Sequence, residues 1–167
     1  MKPEMRTKLE EILEELYKFV VGFFDEHGAQ PPVLVLLTET NVQRIVDLRD
    51  YVEDKELMAS MIQAYQNQDE VLGTVFVSEA WVLVVDVNSE EGKRITEGKT
   101  PRIAPSDSPD REEVLFFMAE TRGGNLAAQA PILRKGNKAT IGKLVFSPPP
   151  YGGGGEFEGR LIGGTFR

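Results

Sequence analysis

The stretch Val71-Leu72-Gly73-Thr74-Val75-Phe76-Val77-Ser78-Glu79-Ala80-Trp81-Val82-Leu83-Val84-Val85-Asp86-Val87 decides how this chain is read. Branched and aromatic residues dominate it, so it is β rather than helical. It runs for 17 residues, well beyond a common strand of about 5 to 6. The polar triplet Ser78-Glu79-Ala80 is therefore expected to mark a bend or a hairpin. Downstream, Asn88 to Glu113 holds Pro101, Pro105 and Pro109 with many charges and little apolar periodicity. It reads as a long mobile loop. Ser108-Pro109 has the form of a helix start, but Val114-Leu115-Phe116-Phe117-Met118 would coat every face of a helix. A short unbroken apolar run fits a buried strand better. Turns at Gly123-Gly124-Asn125 and Lys135-Gly136-Asn137-Lys138 then separate strands over Leu126 to Arg134 and Ala139 to Phe146, which makes a meander.

Upstream, Leu9, Ile12, Leu13, Leu16, Val20, Phe23 and Phe24 recur at helical spacing between Glu4 and His27, with Gly28 and Pro31-Pro32 as the stop. Phe19, Val20, Val21, Phe23 and Phe24 make the last two turns of this helix apolar nearly all round. Burial on more than one side is the expectation there. Val33 to Thr38 and Val42 to Leu48 read as a hairpin. Asp54 caps a second helix whose apolar stripe is Leu57, Met58, Met61, Ile62 and Tyr65. The order helix, hairpin, helix, long β segment, meander predicts an α+β domain. Its sheet is mainly antiparallel, with five to six strands and two covering helices. Residues 1–147 form this domain. Residues 148–167, with Pro148-Pro149-Pro150 and Gly152 to Gly155, read as an arm, stiff and then flexible.

The composition excludes whole classes of chemistry. Among 167 residues there is no Cys and a single His, His27. One chain can thus build no zinc finger, iron–sulfur cluster, disulfide scaffold, Cys nucleophile or multi-His metal site. No metal and no cofactor is expected. No apolar run approaches the roughly 18 to 20 residues of a membrane helix, and Met1-Lys2-Pro3-Glu4 opens no secretion signal, so a cytoplasmic protein without a membrane partner is the expectation. The net charge of -8 is unevenly spread. Residues 1 to 120 carry 12 basic and 25 acidic side chains, and residues 121 to 167 carry 7 and 2. An acidic body argues against nucleic acid as a partner. A basic C-terminal part permits unlike patches to meet in a homo-oligomer.

Val77-Ser78-Glu79-Ala80-Trp81, Pro109-Asp110-Arg111-Glu112-Glu113-Val114 and Ala119-Glu120 together resemble a pattern in small prokaryotic proteins of unknown function, over about the central third of the chain. That resemblance implies no catalytic residue. The element order is also similar to that of roadblock-type and profilin-like modules, which implies a scaffold or sensor.

Polar residues within apolar β segments are the strongest local anomaly. Ser78, Glu79 and Trp81 at a bend, with Glu120 and Arg122 ending a neighbouring strand, are the candidate polar cluster. Convergent carboxylates beside a guanidinium form an acid/base pair, a ligand clamp or a structural ion pair. In the arm, Tyr151, Leu161, Ile162 and Phe166 are the candidate anchors for strand addition to a neighbour's sheet edge. Asp86 with Glu91-Gly92-Lys93 is too tightly spaced for a metal nuclease, and no Gly-Lys-Ser/Thr follows Gly152 to Gly155 as a phosphate loop requires. The leading expectation is a non-catalytic interaction or sensing module that self-associates. The alternative is a small enzyme with a carboxylate site near Glu79 and Glu120 beneath the 88–113 loop.

Overall fold

The computed structural model describes residues 1–39, 44–83, 85–86, 88–99, 107–109 and 111–147, with the side chain of Leu83 left aside. The class is α+β. Helix α1 (Pro3–His27) leads into strands β1 (Val33–Thr38) and β2 (Arg44–Asp47). A single 3-10 turn at Arg49–Tyr51 precedes helix α2 (Lys55–Gln66) and the long strand β3 (Val71–Leu83). Helix α3 (Glu90–Thr96) then precedes β4 (Arg111–Thr121), β5 (Gly124–Lys135), β6 (Lys138–Ile141) and β7 (Val145–Phe146). All pairings are antiparallel, in the spatial order β2-β1-β3-β4-β5-β6, with β7 also pairing β5.

β3 corrects the expectation of a hairpin, because it runs from Val71 to Leu83 as one strand with no register shift against β4. Ser78, Glu79 and Ala80 pair in turn with Phe116, Leu115 and Val114. Its neighbour β4 is itself 11 residues long and pairs the triplet along one side, so breaking the strand there would forfeit those bonds. A third helix stands where the sequence suggested only a loop. Ser89 Oγ accepts the Gly92 N–H at 3.0 Å, and Glu90 and Glu91 complement the first turn of α3. The segment 139–146 is two strands rather than one. Pro131 in β5 has no N–H to offer, and its carbonyl instead takes the Gly142 N–H at 2.8 Å. A Cβ at Gly142 would stand 2.6 Å from Pro131 Cγ, so glycine is what lets the chain pass.

Side chains alternate between two faces. Leu9, Leu13, Leu16, Val20 and Phe24 of α1 form one buried stripe against Val35, Val75, Val77, Leu115, Phe117, Ala119, Leu126, Ala128, Ala130 and Ile132. The α1 end is not buried all round, however, since Phe19 is 61% exposed. One helix packed on one sheet buries one stripe, and the remaining apolar residues of the last turns face outward. On the opposite face Met58 and Ile62 of α2 pack with Leu34, Leu36, Leu48 and Val71. Asp54 Oδ1 caps α2 by accepting the Leu57 N–H at 2.9 Å. No described helix is long and apolar enough to cross a membrane.

Candidate functional site

Register separates the five residues of the candidate polar cluster. Glu79 stands opposite Leu115 and Trp81 opposite Glu113, whereas Glu120 stands opposite Thr74 and Ser78 opposite Phe116. Because the side-chain period is two, Glu79 and Trp81 lie on the α1 face and Ser78 and Glu120 on the α2 face. Ser78 Oγ donates to the Glu79 carbonyl at 3.0 Å. Arg122 lies exposed in the turn after β4. The carboxylates of Glu79 and Glu120 therefore share no site. The arm anchors Tyr151, Leu161, Ile162 and Phe166 lie outside the described residues.

Each half of the divided cluster has gathered other residues. Beneath the last residue of α2, Gln66 Nε2 donates to Glu120 Oε2 at 2.8 Å and to Thr74 Oγ1 at 2.9 Å. Gln66 and Thr74 are each 1% exposed and Glu120 is 6% exposed. The amide dipole thus meets a carboxylate in the core and ties α2 to β3 and β4, a bond worth more than a neutral pair. Gln66 Oε1 itself has no partner among the described residues. Chemically this is a lock: a carboxylate only 6% exposed is held by an amide that is itself buried.

The other half is open. Trp81 is 44% exposed, and the Arg111 guanidinium lies over its ring at 4.6 Å from the centroid. Arg134 grips Glu113 with two bonds, Nε to Oε2 at 2.7 Å and Nη2 to Oε1 at 2.5 Å. The Glu113 hydrogen bond raises the Arg134 pKa above its ordinary value, with a smaller contribution from the charge of Glu79. Glu79 Oε1 accepts the Gln30 N–H at 2.8 Å, where the chain leaves α1. Around Trp81, then, Glu113 is held by Arg134, Glu79 by the Gln30 N–H, and the indole is covered by Arg111.

A third region was visible in the sequence only as charge. Residues 121–147 hold Arg122, Arg134, Lys135, Lys138 and Lys143 and no acidic residue. On the face of β5–β7 away from α1, Leu133 is 54% and Val145 is 59% exposed. Ile132, Ala139, Ile141 and Phe146 point the other way, into the α1 core. By contrast α1 carries seven acidic and three basic residues. Its outer strip presents Glu11, Glu15, Phe19, Gly22 and Glu26 at helical spacing. Lys18 pairs with Glu15 at 2.8 Å, and that hydrogen bond raises the Lys18 pKa. A Cβ at Gly22 would meet nothing within 4 Å, as at Gly28, Gly98 and Gly136, but unlike those three Gly22 has no positive φ that favours glycine. A helical glycine costs about 1 kcal/mol relative to alanine, and no packing inside the fold asks for it. His27 stacks on Phe23 at 4.1 Å, and its Nδ1 lies 3.0 Å from the Phe23 carbonyl, a local role at the helix end.

Sequence reasoning missed Gln66, Thr74, Arg111, Glu113 and Arg134 as partners of these sites. A signal existed for two of them. Thr74 is a polar residue inside an apolar ladder, and Gln66 continues the i, i+4 stripe of Met58 and Ile62. Among the described residues no three His, Asp or Glu side chains are grouped so as to hold a metal ion. No family model matches the chain, and no curated protein or solved structure is found to be similar to it.

Proposed function

We propose that this chain is a non-catalytic interaction module that self-associates. The observation that carries the reading is the segregation of charge between the acidic α1 strip and the acid-free basic region 121–147, each with a large apolar side chain left exposed. Unlike charges steer encounter, and exposed apolar groups supply the contact. The Trp81–Arg111 pair adds a second surface of the kind proteins use, since Trp and Arg are enriched at binding hot spots. The alternative enzyme reading needed Glu79 and Glu120 together, and they stand on opposite faces of the sheet. A Cys-free, acidic chain suits the cytoplasm, which is the location we assign to the module.

Sedimentation velocity across a protein dilution series tests the proposal. The expected result is an assembly at low salt that loosens as salt rises toward about 1 M, where the Debye length shrinks to about 3 Å. A monomer at every concentration and salt overturns it.

A further inference from the structure

The self-association proposed above has a geometry built into the fold. We infer that copies join head to tail: the outer strip of α1, Glu11-Glu15-Phe19-Gly22, covers Leu133 and Val145 on the outer face of β5–β7 in the next copy. Three observations meet at this contact.

Charge is the first. The strip is acidic, and the segment that carries the receiving surface holds Lys135, Lys138 and Lys143 and no acidic residue between 121 and 147. Contact area is the second. Leu133 and Val145 share one face, since Leu133 pairs with Thr140 and Val145 with Gln129 while the intervening parity sends Ile132 and Phe146 inward. Both are more than half exposed, as is Phe19 on the strip. The third is Gly22. It lies one helical turn from Phe19 with open space around its Cβ position, so it leaves bare backbone where a neighbour's side chain can approach closely. Neither its helical backbone nor packing within the fold calls for glycine.

The symmetry of the assembly follows from the layers. The α1 strip points away from one face of the sheet, and Leu133 and Val145 point away from the other. The contact therefore joins two different surfaces, the heterologous arrangement that gives closed rings, or open chains with one of each left unused at the ends, rather than a two-fold dimer.

Two exposed substitutions test this, Phe19→Asp on the strip and Leu133→Asp on the receiving face, together with Gly22→Gln, which adds bulk without touching the core. Mass in solution is read by sedimentation and native mass spectrometry, with circular dichroism to confirm folding. Each Asp variant alone is expected to be monomeric where the wild type assembles. Mixing the two leaves one intact strip and one intact receiving face, so a 1:1 heterodimer and nothing larger should form. Gly22→Gln should weaken assembly at least tenfold with the fold intact. An assembly unaffected by Leu133→Asp or by Gly22→Gln overturns the head-to-tail contact while leaving self-association standing. The contact is equally overturned if both Asp variants dissociate and no heterodimer appears on mixing. A wild type that never assembles removes both this contact and the reading on which it rests.

Discussion

The two faces of the sheet solve the same packing problem with different means. On one, the 25-residue α1 lays an unbroken apolar stripe over Val35, Val75, Val77, Leu115, Phe117, Ala119, Leu126, Ala128, Ala130 and Ile132. On the other, the 12-residue α2 covers less, and its buried stripe ends in Gln66, which reaches Thr74 and Glu120 rather than a hydrocarbon wall. The comparison teaches where specificity is held. The apolar stripe is pinned at its edges, where Tyr17 Oη donates to the Gly142 carbonyl at 2.5 Å and Arg6 Nη2 to the Ser147 carbonyl at 3.1 Å, whereas a buried amide that must meet a carboxylate fixes helix on sheet from within.

The sharpest way to break the comparison is through the apolar face. Phe117 is fully buried beneath α1, edge-on to Tyr17 at 6.5 Å. Phe117→Ala is expected to cost about 3 to 5 kcal/mol, read as a lower midpoint in urea with the slope unchanged. A loss under about 1 kcal/mol would mean that α1 does not hold the core as described.

Next in size is the polar lock. Gln66→Ala removes a donor from a buried carboxylate and is expected to cost about 2 to 3 kcal/mol. Replacing both partners, as in Gln66→Met with Glu120→Met, should cost less than the sum of the single changes, because no charge is then stranded. Strict additivity in that cycle would show that the two side chains do not depend on each other. Gly142→Ala follows. Its Cβ would press on the Pro131 ring at 2.6 Å, and the expected loss is about 1 to 3 kcal/mol.

Much of the fold is legible in the sequence. The i, i+4 repeat from Leu9 to Phe24 marks the buried side of α1, and the runs at Val71 and Val114 mark the central strands. Such patterns are local, and they survive tertiary context because they reflect which side of an element meets water. Register is not local. Whether Glu120 faces Glu79 or turns away depends on which residue of β4 stands opposite Thr74, and the segment joining the two strands carries no apolar pattern that would count it out. A shift of one residue would have moved Glu120 to the α1 face. For the same reason the pairing of β1 with β2 can be read from adjacent residues, while that of β1 with β3, reached only after α2, cannot. Gly142 is likewise silent, because its purpose lies in Pro131, eleven positions earlier.

The smallest expected effect bears on the open half of the α1 face, beyond the stripe. Arg111 and Trp81 are both exposed to solvent, so their stacking should be worth about 0.5 to 1 kcal/mol. Arg111→Ala then leaves global stability almost unchanged, in contrast to Phe117→Ala on the same face. Trp81 is the one tryptophan of the chain, so its fluorescence reports this patch alone. With the guanidinium removed, one ring face passes to water and the emission should shift to longer wavelength. Arg111→Lys keeps the charge but loses the planar stack, and it should give an intermediate shift. Identical emission in all three proteins would mean that Arg111 does not cover the ring in solution, and the patch would lose the prearrangement that sets it apart from an ordinary exposed aromatic.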